Sequence, residues 1–202
     1  MLRRRILATL LAAPLALALS PLAGCSKPAS PVSYIGTDLT GAPYGKDFRL
    51  ADPDGRERTL ADFRGRYVML FFGFTQCPDV CPTALSRAVS VRELLGADKD
   101  KLQVIFVTLD PERDTPEVLQ QYTTTFDPGF LGLRADAAGT DKVVAEFKVY
   151  YRKVPTGQSY TLDHTATSYL FDTQGRLRLA LAHHLTPEQI VTDLRTLMST
   201  GA

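Results

Sequence analysis

The sequence predicts an α/β fold in which parallel strands alternate with helices and an antiparallel hairpin follows. Three observations carry this. Residues 67–74 and 102–109 are nearly continuous apolar runs, the pattern of strands covered on both faces. Each is followed by helix signals: Pro82 at a first helical position, and Thr115-Pro116-Glu117, which supplies a cap, an N1 proline and an early acid. Strand, helix, strand, helix implies parallel pairing. Residues 168–172 and 176–182 flank Thr173-Gln174-Gly175 and read instead as an antiparallel hairpin.

Taken in order, the chain opens on Arg3-Arg4-Arg5 and an apolar run over residues 6–19 broken only by Thr9 and Pro14, the pattern of a signal peptide. The run is short for a membrane span, which needs about 20 residues. It ends in Leu22-Ala23-Gly24-Cys25, which resembles the lipobox of bacterial lipoproteins. That resemblance implies cleavage after residue 24 and a lipid on Cys25, placing the protein on the periplasmic face of a bacterial membrane. Losing residues 1–24 removes three arginines and no acids, so 23 basic and 22 acidic residues become 20 and 22, a net charge of −2. This balance argues against nucleic acid as a partner. The remaining 178 of 202 residues fit one domain, and no internal repeat is visible.

Residues 25–44 are rich in Pro, Ser, Thr and Gly with little apolar periodicity and read as a tether to a domain over residues 45–202. Residues 47–50 and 57–60 flank Asp52-Pro53-Asp54-Gly55 and form an N-terminal hairpin. The first helix runs over residues 82–95 and closes at Gly96. Residues 129–134 read as a short strand, and residues 140–149 show helical spacing at Val143, Val144 and Phe147. A loop over residues 154–167 precedes the C-terminal hairpin, and Thr186-Pro187-Glu188 opens the last helix.

Chemistry concentrates where the first buried strand runs into Cys77-Pro78-Asp79-Val80-Cys81-Pro82. With Cys25 assigned to lipid, Cys77 and Cys81 are the one remaining pair. A proline disfavours the α region for the residue before it, so both cysteines are expected in extended or turn conformations. Pro82 at N1 makes Cys81 the helix cap, beside free N–H groups and the positive end of the dipole, which lowers a thiol pKa. Such a pair closes a disulfide or chelates a soft cation, and the pair alone does not choose.

The order β-α-β-α, an inserted segment, then β-β-α is that of the thioredoxin fold, with an N-terminal β-hairpin added. Three stretches carry a closer resemblance: residues 73–82 around the cysteines, Asp110-Pro111-Glu112-Arg113-Asp114-Thr115, and Asp163-His164-Thr165. Together, and in this order, they resemble the signature stretches of the Sco/SenC family, copper-binding assembly factors of respiratory oxidases. The likeness spans about residues 35–200.

In thioredoxin-like oxidoreductases a cis-proline precedes the strand at residues 168–172 and faces the cysteines; here His164 stands in that place. Topology and resemblance together make His164 the third metal ligand. A Cys2His set without a fourth protein ligand suits copper, as Cu(I) or Cu(II), better than structural zinc, which takes four ligands. A catalytic zinc with an open position stays possible, although no obvious general base accompanies it. Asp110, Arg113 and Asp114, at the carboxyl end of the second strand, read either as an ion-paired loop or, as the family motif implies, as groups orienting His164 or forming a docking surface. Asp79 reads as a turn residue or as negative charge offered to a copper donor. His183 and His184 are adjacent at a strand end, so their side chains part to opposite faces and do not share an ion.

The resemblance implies a copper metallochaperone that receives copper from another periplasmic chaperone and loads the binuclear centre of the copper-bearing subunit of cytochrome c oxidase. The alternative is a thiol-disulfide oxidoreductase that reduces the acceptor's cysteines. A peroxiredoxin-like peroxidase is disfavoured, because Thr75-Gln76-Cys77 lacks the Pro-x-x-x-Thr-x-x-Cys arrangement.

Overall fold

The computed structural model describes residues 32–201. Strands β4 (Tyr67–Gly73) and β5 (Leu102–Thr108) are buried at every position and pair in parallel, Tyr67 opposite Leu102 through Gly73 opposite Thr108. With β1 at Thr37–Asp38, β6 at Leu131–Leu133, β9 at Ser168–Phe171 and β10 at Leu177–Leu181, they form the centre of a six-stranded sheet in the order β1-β10-β9-β4-β5-β6. β6 extends the parallel side, while β9 and β10 form the antiparallel hairpin on the other. Successive strand residues point to opposite faces. Phe71 accordingly lies against Phe106 on one face, and Phe72 against Phe147 of α3 (Ala137–Phe147) on the other. Both faces are covered, as the unbroken apolar runs require.

Two helices begin where the capping chemistry places them. Thr115 accepts from the Val118 N–H ahead of α2 (Pro116–Phe126), and Thr186 forms a capping box with Gln189 ahead of α4 (Pro187–Thr200). α4 packs on α1 (Val80–Leu95), which ends at Gly96 with φ of 61°. The N-terminal hairpin is shorter than expected, β2 (Leu50–Ala51) with β3 (Glu57–Arg58), because Leu60 turns into a 3-10 helix over Leu60–Phe63.

Two further elements depart from expectation. The chain enters the fold before residue 45: Ile35 and Gly36 donate their N–H groups to the buried Asp193 carboxylate, each at 2.8 Å, and β1 (Thr37–Asp38) pairs with β10. Polar composition made this edge strand read as tether, but its order comes from backbone and carboxylate bonds. The expected loop over residues 154–167 is largely a second hairpin, β7 (Tyr151–Thr156) with β8 (Ser159–His164). Its residues are mostly exposed, so it carries no strong apolar alternation. The signal peptide, Cys25 and the start of the tether lie outside the described residues.

Candidate metal centre

The cysteines sit on the turn between β4 and α1. The Cys77 N–H donates to the Phe74 carbonyl at 3.3 Å, and the helix begins at Val80 with Asp79 in the capping position. Cys81 is therefore inside the first turn and is not its cap. Pro82 is tolerated there because the first turn's N–H groups have no intrahelical partners to lose. Gly73 makes room: a Cβ at that position would stand 2.7 Å from Cys81 Sγ and 2.8 Å from the Phe106 ring.

The two thiols are unequal. The hydrogen bond from Cys81 lowers the Cys77 pKa to about 5 against the cost of burial, and the Asp79, Val80 and Cys81 N–H groups assist. Donating that bond, together with burial, pushes the Cys81 thiol up. Thiol acidification at the helix start thus falls on Cys77, the reverse of the expectation for Cys81, because the free N–H groups converge on Cys77 and Cys81 is fully buried.

His164 ends β8, paired opposite Tyr151, and so projects from a strand end rather than a loop. Its Nε2 lies 3.8 Å from Cys81 Sγ, while Nδ1 is 3.0 Å from the Thr165 carbonyl. A carbonyl only accepts, so Nδ1 carries the proton and the unprotonated Nε2 faces the Cys81 sulfur, its lone pair free to ligate a metal. The Phe71 and Phe74 rings meet the imidazole edge-on at 6.1 and 5.9 Å between centroids and fix its plane. Cys77 Sγ, Cys81 Sγ and a His164 ring nitrogen lie within 4.8 Å of one another.

The loop after β5 touches both halves of this site. Asp114, fully buried, accepts from the Thr75 N–H at 3.1 Å, the Thr75 hydroxyl at 2.6 Å and the Thr108 hydroxyl at 2.5 Å, tying the cysteine turn to β5. Asp110, also buried, pairs with Arg113 and accepts from the Tyr160 hydroxyl at 2.8 Å. Arg113 in turn donates to the Tyr160 carbonyl at 2.8 Å and to Gln76 at 3.1 Å, and its guanidinium lies 3.8 Å from the Tyr160 ring centre. Burial removes Asp110 and Asp114 from any docking surface and leaves them as supports. Asp79 is exposed, with one long contact from the Thr83 hydroxyl at 3.5 Å. His183 is partly buried and His184 exposed, and neither joins the cluster of potential metal ligands.

Gly73, Thr75 and Tyr160 escaped sequence reasoning. The one available signal for Tyr160 was the period-two placement of Tyr160, Leu162 and His164, which puts all three on one strand face.

Two sulfurs and one imidazole at the rim of a sheet, with no fourth protein ligand among the described residues, match the preferences of copper and leave an open coordination position. Fold and site together define a thioredoxin-like domain whose cysteine turn faces a histidine at the end of β8. Residues 36–199 match the SCO1/SenC family model, and the chain belongs to that family. A SCO2-like protein of Rickettsia felis is 35% identical over 154 residues, which cover 75% of each chain. The mitochondrial SCO2 homologue of Bos taurus is 39% identical over 157 residues, 76% of this chain and 59% of that one. Among solved structures, Bradyrhizobium japonicum ScoI with copper bound is 42% identical with a TM-score of 0.69, covering 75% of this chain and 98% of that one. Yeast Sco1 with copper bound is 31% identical with a TM-score of 0.70, covering 78% and 89%.

Proposed function

We propose that the protein is a copper metallochaperone that holds one copper ion through Cys77, Cys81 and His164 and passes it to the copper-bearing subunit of cytochrome c oxidase during assembly. The convergence of the three donor atoms within 4.8 Å carries the proposal. Two relatives bind copper in their solved structures, which supports copper as the cargo. The oxidase, and a periplasmic copper chaperone as donor, come from the family resemblance. Cu(I) suits the thiolates, and imidazole adds a ligand acceptable to Cu(II). A three-ligand site lets an acceptor's thiolates enter before the donor's leave, so the ion is never bare.

The polar segment before residue 35 and the lipobox-like Leu22-Ala23-Gly24-Cys25 support attachment to the periplasmic face of a bacterial membrane through a lipid on Cys25. Fractionation of Cys25→Ala cells, with mass spectrometry of the mature N-terminus, tests this. The variant is expected in the soluble fraction or unprocessed, and an unmodified N-terminus elsewhere in the native protein refutes it.

A thiol-disulfide oxidoreductase is the second reading, favoured by one observation. The free pair combines an acidic, half-exposed Cys77 with a buried Cys81, the asymmetry of an attacking and a resolving thiol. Copper transfer to a purified oxidase copper domain, run beside insulin reduction, separates the two. The chaperone transfers copper in a manner that depends on all three ligands and reduces insulin slowly. Thioredoxin-like insulin reduction, with oxidase assembly intact in His164→Ala cells, assigns the redox role instead.

A further inference from the structure

We infer that Tyr160, gripped by Arg113 and Asp110, is a positioning residue that sets where His164 stands over the two thiols. The inference rests on the copper-site assignment above and assigns a role to a residue that does not itself touch the metal.

The β7–β8 hairpin is a separate two-stranded sheet that reverses at Gly157, where φ is 62°. An isolated two-stranded hairpin is marginally stable in water, so its position depends on what anchors it. Strand alternation puts Tyr160, Leu162 and His164 on one face of β8. Leu162 is buried at 5% exposure and fixes the middle of that face. Its two ends are Tyr160 and His164, about 13 Å apart at the usual rise of a strand. Tyr160 is held on three sides: the Arg113 guanidinium 3.8 Å from its ring centre, the Arg113 N–H on its carbonyl, and its own hydroxyl on Asp110. Lys153, from the opposite strand, covers the ring at 4.6 Å and pairs with Glu112 at 2.7 Å. At the other end, the Tyr150 N–H donates to the Thr165 hydroxyl and the Thr165 N–H to the Tyr150 carbonyl, closing the base of the hairpin.

The loop that grips Tyr160 also holds the cysteine turn, through Asp114 and Thr75. One short segment therefore references both halves of the site to the end of β5. Releasing Tyr160 leaves the cysteine turn in place but lets β8 pivot about Leu162, which moves His164 away from the sulfurs.

A double-mutant cycle on the full chain tests this, with Cu(II) supplied under a competing chelator and Cu(I) measured separately. Tyr160→Leu is expected to weaken Cu(II) binding about tenfold, as loss of a group that orients a ligand does, and to shift the thiolate-to-Cu(II) charge-transfer band. In a His164→Ala background the same substitution is expected to cost nothing further, and Cu(I) affinity stays that of the parent. Arg113→Lys keeps the charge beside Asp110 but loses the planar stack on Tyr160. It should repeat the pattern and serves if Tyr160→Leu does not fold. Native Cu(II) binding in both variants, or an equal loss with and without His164, overturns the inference while the copper site stands. Failure of the parent chain to bind copper, or indifference of Cu(II) binding to His164→Ala, removes the copper-site assignment itself.

Discussion

At the site, the two cysteines have the same side chain and different chemistry, because one receives hydrogen bonds and the other gives one. With a Cys77 pKa near 5, its alkylation by iodoacetamide should be nearly independent of pH from 8 to 6 and fall as pH drops through 5. In the denatured chain the rate should instead fall roughly tenfold per unit over the range 8 to 6. A native rate that follows the denatured one contradicts the assignment of Cys77 as the standing thiolate. Because Cys81 keeps its proton, Cu(I) binding at pH 8 is expected to release about one proton per ion rather than two, measurable with an indicator in weak buffer. Gly73 belongs to the same scale. With Cys81 Sγ only 2.7 Å from where a Cβ would stand, Gly73→Ala is expected to destabilise the chain by about 1–3 kcal/mol in urea unfolding and to weaken copper binding by displacing that sulfur.

Among the elements, the loop after β5 is the one that decides the geometry. Asp114 satisfies three donors from Thr75 and Thr108 in a fully buried place, so Asp114→Ala is expected to cost roughly 2–4 kcal/mol of stability by denaturant titration, as loss of a buried hydrogen-bond network does. His164→Ala, at a partly exposed strand end, should change the stability of the metal-free chain far less. A small loss in Asp114→Ala would mean that the cysteine turn holds its shape without this support. The buried strands and capped helices were legible because apolar runs and Thr-Pro-Glu signals act locally: residues 67–74, 102–109, 115–117 and 186–188 all sit within one residue of where they were expected. The β7–β8 hairpin was not legible, because a strand pair exposed on most of its surface needs no alternation of polarity, and Leu162 is its one fully buried position. The start of α1 was displaced for a similar reason. Pro82 fits any position of the first turn, so it marks the neighbourhood of a helix start and not its first residue. The three candidate ligands were legible as residue types in family-like motifs, while their convergence within 4.8 Å rests on contacts made across long stretches of chain.

For the whole molecule, the sheet carries the site at the carboxyl end of its parallel strands and is closed on its far edge by the N-terminal segment. A chain starting at Leu39 loses β1 and leaves the buried Asp193 carboxylate without the Ile35 and Gly36 N–H groups, at a cost on the order of 3 kcal/mol. That corresponds to a melting temperature lower by about 6–12 °C for a domain of this size, and equal melting temperatures would show that the edge strand adds nothing. Copper titration with X-ray absorption at the copper edge tests the proposal that one copper ion is held between the cysteine turn and the β8 histidine. One copper per reduced chain is expected, bound by two sulfurs and one imidazole nitrogen, with loading lost in Cys77→Ser and Cys81→Ser and the nitrogen lost in His164→Ala. Full loading of a chain carrying both Cys77→Ser and Cys81→Ser, or a spectrum without sulfur, contradicts it.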